Sequence, residues 1–143
     1  MPESRKPRLL IVDDQTQVRS MLEEYFTEAE FDVTTAEDVP AALAALPAGF
    51  DVVLSDIRMP GQSGIDFLQQ GRAQRPSLGV FLMTGYQQFE TLLDAKCYGA
   101  QAYFQKPLDL EAMEQRIREY LATIDYGAPE AAQAAVTPSS GDA

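Results

Sequence analysis

The sequence predicts an α/β fold: one domain in (βα)5 order, with a five-stranded parallel sheet covered by helices on both faces. Three observations lead there. Short, unbroken apolar runs at 9–12 (LLIV), 52–54 (VVL) and 80–83 (VFLM) have strand length, and strands buried on both faces read as continuous apolar stretches rather than alternating ones. Segments of helical period lie between the strands, which is the order of right-handed βαβ crossovers. The length of 143 residues suits one domain.

Taken in order, residues 9–12 form the first strand. The stripe Val18, Met21, Leu22, Tyr25, Phe26 and Ala29 then repeats at helical spacing and predicts an amphipathic helix. Residues 31–35 (FDVTT) alternate in polarity and suit an edge strand. Val39, Ala42, Leu43 and Leu46 predict a short helix closed by Pro47 and Gly49. After the strand at 52–54, a helix is expected over 65–74, following Gly61 and Gly64. The strand at 80–83 leads to a helical pattern over 89–98 that stops at Gly99, a residue suited to the position after a helix end. A short strand at 102–104 precedes the clearest helix, in which Asp109 is the expected N-cap and Leu110, Met113, Ile117, Tyr120, Leu121 and Ile124 share one face. Residues 1–7 are an expected N-terminal extension, 8–125 the folded domain, and 126–143, rich in Ala, Pro, Ser and Gly, a disordered tail or linker stub.

Composition narrows the chemistry. With no His and a single Cys, histidine triads, histidine-ligated metals, an internal disulfide and a Cys-only zinc site are excluded. Cys97 lies among apolar neighbours of the 89–98 pattern and reads as a structural thiol. Asp and Glu total 22 against 11 Lys and Arg, a net charge of −11. That balance repels phosphates and anionic lipid, so direct nucleic-acid or membrane binding is not expected and divalent cations are the better ligands. No apolar run approaches the roughly 20 residues of a membrane span, and the charged start runs into a strand rather than an apolar signal region. A cytoplasmic setting is expected.

Ligands of such sheets gather at the carboxyl ends of the strands. There the sequence places Asp13-Asp14 after strand one, Ser55-Asp56 after strand three, Thr84-Gly85 after strand four and Lys106-Pro107 after strand five. Clustered carboxylates raise one another's pKa unless a cation neutralises them. A hard divalent ion with oxygen ligands does so, and Mg²⁺ (or Mn²⁺) retains waters that a phosphoryl oxygen can displace. A carboxylate nucleophile, a metal, an ammonium and a hydroxyl donor are the parts phosphoryl transfer requires. Taken singly, each residue also has a structural reading as a cap or a salt-bridge partner.

These motifs resemble the receiver domain of two-component response regulators. The matching text is LLIVDDQ at 9–15, DVVLSDIRMPGQSGIDFL at 51–68, VFLMTGY at 80–86 and GAQAYFQKPLDLEAM at 99–113. The DIRMPG and MTGY stretches look most like receivers attached to AAA+ transcriptional activators. The resemblance implies a flavodoxin-like fold with strand order 2-1-3-4-5. It implies Asp56 as phosphoacceptor, Asp13 and Asp14 as the metal-placing pair together with Asp56 and the backbone carbonyl of Arg58, and Thr84 and Lys106 as phosphoryl contacts. Tyr103 would be the aromatic switch moving with Thr84, and Lys106-Pro107 a cis peptide. The donor would be a sensor histidine kinase or histidine phosphotransfer protein, since this chain has no His. The surface of the 89–98 helix, strand five and the final helix would be the effector or homodimer face. Arg58 and Tyr86 lie two residues after Asp56 and Thr84 and are expected to slow hydrolysis by overhanging the phosphoryl group; the Arg58→Ala/Tyr86→Ala double variant should then lose label faster.

Two rivals remain open on the residues. An aspartyl-nucleophile phosphohydrolase of the haloacid-dehalogenase type needs a second Asp two residues after the nucleophile, and here Gln15 and Arg58 stand at those positions. A phosphorylation-independent interaction module would not need the full set of Asp13, Asp14, Asp56, Thr84 and Lys106. Glu111, Glu114, Arg116, Arg118 and Glu119 read as the solvated, mixed-charge face of the last helix.

Overall fold

The computed structural model describes residues 6–57, 61–84 and 100–124. Five parallel strands, β1 (Arg8–Val12), β2 (Asp32–Ala36), β3 (Val52–Asp56), β4 (Val80–Thr84) and β5 (Ala102–Gln105), form one sheet in the order β2-β1-β3-β4-β5. Among the described residues the helices are α1 (Thr16–Glu28), α2 (Val39–Ala45, continued by a 3₁₀ turn, Leu46–Ala48), α3 (Gly64–Gln74) and α4 (Leu110–Leu121). The 89–98 pattern and the 126–143 tail lie outside the described residues.

The alternation of side chains along each strand divides the core in two. Leu10, Val12, Val53, Val80 and Leu82 pack with Val39 and Ala42 of α2 and Phe67 and Leu68 of α3. Leu9, Ile11, Val52, Leu54, Phe81 and Met83 pack with Leu22 and Phe26 of α1 and Met113, Ile117 and Leu121 of α4. Continuous apolar strands are thus explained by burial on both faces. β2, at the edge, is mostly half-buried, as its alternating sequence requires.

Local chemistry sets the helix ends. Asp38 caps α2 by accepting from the Ala41 N–H at 2.9 Å, and Asp109 caps α4 by accepting from Ala112 at 3.1 Å. α3 begins with a reciprocal box: Ser63 Oγ accepts from the Ile65 and Asp66 N–H groups, and Asp66 accepts from the Ser63 N–H at 2.8 Å. α1 ends in a Schellman turn, with Phe31 N–H on the Phe26 carbonyl at 2.9 Å and Glu30 N–H on Thr27 at 3.1 Å. Glu30 takes the left-handed position at φ 73°.

The α1 stripe is narrower than its spacing predicts. Met21 stays 42% exposed while Leu22 and Phe26 are fully buried, because the sheet receives only the centre of the stripe.

The crossovers put the site in place. The chain winds from β1 outward to β2, returns across β1 to β3, and then winds the other way. The order therefore reverses between β1 and β3, and the crevice at their carboxyl ends is the ligand-binding position of such sheets.

Candidate phosphoacceptor site

β1 delivers Asp13 into that crevice. Its N–H donates to the Ala36 carbonyl at 3.1 Å, which ties it to the end of β2. Its side chain is fully buried. Oδ1 accepts from the Gln15 N–H at 2.8 Å, whereas Oδ2 is buried with no hydrogen-bond partner among the described residues. Burial above all pushes its pKa up from 3.8 to about 6; the Asp56 and Asp14 carboxylates add to the rise, against the Gln15 hydrogen bond and the Lys106 ammonium.

β3 delivers Asp56, which is 4% exposed. Ser55 Oγ donates to the Asp56 carbonyl at 3.0 Å, and the Ile57 N–H to the Met83 carbonyl at 2.9 Å. α3 starts unusually close to this strand end. A Cβ added at Gly64 would collide with the Asp56 carbonyl oxygen and reach the Ile57 Cα at 3.0 Å, so glycine is needed for this approach. Gly64 N–H also donates to the Ile57 carbonyl at 2.8 Å.

β4 and β5 supply the remaining groups. Thr84 is buried at the end of β4, and its carbonyl accepts from the Lys106 N–H at 2.8 Å. That bond sets Lys106 beside the crevice, where Nζ lies 3.3 Å from Asp56 Oδ2. The Lys106-Pro107 peptide is cis, as expected. Tyr103 is half-buried on β5 opposite Leu82 and packs against the α2/α3 side of the core.

The three expected carboxylates do converge. Asp13, Asp14 and Asp56 each place an oxygen within 4.8 Å of the others. Three anions, one with an orphaned buried oxygen, form a donor set suited to a hard divalent cation. Arg58 and Tyr86, with the roles expected of them, lie outside the described residues.

Two features went unread in the sequence. Arg19, one turn into α1, donates from Nη1 to the Asp13 carbonyl at 2.7 Å; an arginine at the start of a helix carries no signal for this. Glu114 and Arg118 are not merely a solvated face. Glu114 accepts from the Tyr25 hydroxyl and from Arg118 Nε, each at 2.7 Å, and Arg118 lies 4.8 Å over the Phe31 ring.

Residues 9–118 match the response regulator receiver domain family. The DNA-binding transcriptional regulator NtrC of Salmonella typhimurium is 38% identical over 102 residues, covering 71% of this chain and 22% of that protein. Sporulation initiation phosphotransferase F of Bacillus subtilis is 30% identical over 115 residues, covering 80% of this chain and 93% of that one. The chain thus spans about a fifth of the one relative and most of the other. The crystal structure of a CheY-like receiver domain protein from Methanospirillum hungatei JF-1 superposes with a TM-score of 0.79 at 28% identity, over 82% of this chain and 95% of that one. With its flavodoxin-like sheet order and its acidic crevice at the strand ends, the chain belongs to the response regulator receiver domain family.

Proposed function

We propose that this receiver accepts a phosphoryl group on Asp56 from a phosphohistidine presented by a sensor histidine kinase or histidine phosphotransfer protein, and passes the change to an effector surface. The observation that carries the reading is the pairing of Asp56 with Lys106 at 3.3 Å beside the Asp13–Asp14 pair at the sheet's switch point. The relationship to a protein named as a phosphotransferase supports it.

In the proposed reaction a carboxylate oxygen of Asp56 attacks phosphorus in line with the P–N bond. The P–O bond forms as the P–N bond breaks, and the imidazole leaves with the electron pair. Lys106 offsets charge on the equatorial oxygens, and the Thr84 hydroxyl donates to one of them. Asp13, Asp14, Asp56 and the Arg58 carbonyl would hold Mg²⁺ or Mn²⁺, which when bound supplies positive charge against the transferring group. The aspartyl phosphate then biases a pre-existing equilibrium: Thr84 is drawn to the phosphoryl group and Tyr103 moves inward with it. β5 and α4 carry the surface that changes, available to an effector or a second copy; the 89–98 segment expected to complete it lies outside the described residues. In this reading the chain is a signalling domain whose own chemistry is limited to self-phosphorylation from small donors and dephosphorylation.

Intact-protein mass after incubation with Mg²⁺ and acetyl phosphate tests the reading. One phosphate adduct is expected, lost with EDTA and in Asp56→Asn; an adduct that persists in Asp56→Asn, or no adduct under conditions that label a control receiver, overturns it.

A further inference from the structure

We infer that Arg19 is a positioning residue for the metal-binding pair, holding the peptide that joins Asp13 to Asp14 so that both carboxylates face the crevice. The inference rests on the metal site proposed above. Gln15, the N-cap residue, makes no side-chain capping hydrogen bond among the described residues, and the first turn holds no acidic residue. The usual N-cap side-chain bond is therefore missing after the loop that carries the acidic pair, and Asp13 Oδ1, accepting from the Gln15 N–H at 2.8 Å, is one tie between that loop and the helix start.

Arg19 adds a second tie from one turn inside the helix. Half-buried, it donates from Nη1 to the Asp13 carbonyl at 2.7 Å and from Nη2 to Thr16 Oγ1 at 3.4 Å. Its own N–H is bonded to the Gln15 carbonyl at 3.0 Å. Asp13 is thus held on both sides, its N–H by the Ala36 carbonyl at 3.1 Å and its carbonyl by the guanidinium. That carbonyl belongs to the Asp13–Asp14 peptide. Rotating this peptide would relieve the repulsion of two adjacent carboxylates and disperse the oxygens now gathered within 4.8 Å. A charge-assisted bond from a forked, pre-organised donor resists that rotation.

Groups that orient a ligand without touching the metal typically change metal affinity by about 10–100-fold when removed. The test is a calorimetric titration with Mg²⁺ alone on wild type, Arg19→Ala, Arg19→Gln and Arg19→Lys, with thermal midpoints read in EDTA and in saturating Mg²⁺. The expected result is Mg²⁺ affinity weakened about 10-fold in Arg19→Ala and Arg19→Gln, largely recovered in Arg19→Lys. The Mg²⁺-induced rise in midpoint should shrink while the EDTA midpoint changes little. A merely structural arginine would lower both midpoints together and leave the affinity alone, and an affinity within twofold of wild type in both neutral variants overturns the inference. Arg19→Gln keeps most of the side-chain stem, so a folding failure of Arg19→Ala leaves the comparison intact. Absence of Mg²⁺ binding by the wild type overturns the metal-site reading itself, and this inference with it.

Discussion

Two carboxylates at opposite ends of α1, Asp13 fully buried and Glu114 half-buried, are treated in opposite ways. At the carboxyl end of α1, Glu114 of α4 is fully engaged: the Tyr25 hydroxyl and Arg118 Nε both donate to it. Those bonds, Tyr25's first, hold its pKa below the ordinary 4.5. At the amino end, Asp13 keeps one buried oxygen without a partner among the described residues and sits near two further carboxylates, with its pKa pushed up to about 6. The first arrangement ties α1 to α4 and stabilises the fold. The second costs stability, because a buried carboxylate oxygen is left without a partner among the described residues, the pattern of a group kept for function rather than for the fold.

Substitution at Asp13 should separate the two carboxylates most. Asp13→Asn is expected to stabilise the metal-free protein at pH 7 by about 1–2 kcal/mol while weakening Mg²⁺ binding by roughly 100-fold or more; chemical denaturation in EDTA and a Mg²⁺ titration check the two signs. The pH dependence follows from the same shift. Because folding raises the Asp13 pKa from 3.8 to about 6, its contribution is fully present below about pH 4 and is lost as pH rises through about 6, so metal-free stability should fall across that window. Asp13→Asn should flatten it.

Glu114 should behave in the opposite sense. Glu114→Ala is expected to cost about 1 kcal/mol, modest because the ion pair with Arg118 is partly exposed. With its folded pKa lowered, the contribution is present above about 4.5 and lost as pH falls below it. An acid denaturation series comparing wild type with Glu114→Ala reads the difference, and a stability loss independent of pH would show that packing, not charge, holds the seam.

The smallest expected effect sits at the turn this seam covers. Arg118 reaches the Ala29 carbonyl, and the next residue, Glu30, holds φ 73°, a conformation costing an L-residue about 1 kcal/mol that glycine adopts freely. Its ion pair with Lys6, at 3.7 Å between exposed side chains, offsets little of that. Glu30→Gly should stabilise by about 0.5 kcal/mol, visible as a small rise in the thermal midpoint, and should leave Mg²⁺ affinity unchanged. A fall in the midpoint would show that the side chain contributes more than the turn geometry costs.

The central strands β1, β3 and β4 were legible because burial on both faces leaves a mark on nearly every residue, and edge strand β2 because its polarity alternates. Asp109 was legible as a cap because capping is local. Ser63 and Asp66 were legible in principle, as S-x-x-D opening a helix, and went unread beside the glycines. The edge strand runs over 32–36 rather than 31–35, because Phe31 belongs to the Schellman turn and packs edge-on against Phe26 at 5.2 Å. The polar rim could be listed residue by residue, since strand ends are visible in the sequence and the direction of a parallel sheet puts their carboxyl ends on one side.

The fold class, the two-sided core and the roster of Asp13, Asp14, Asp56, Thr84 and Lys106 at one rim can all be read from residue order. Three-dimensional packing brings the three carboxylates within 4.8 Å, sets Arg19 on the Asp13 carbonyl and joins Tyr25 to Glu114, 89 residues apart in the chain, across the seam between α1 and α4. The difference is one of range. Periodicity and capping are set by neighbours a few residues away, whereas the pairing of a buried carboxylate depends on which distant side chain the crossovers bring to it.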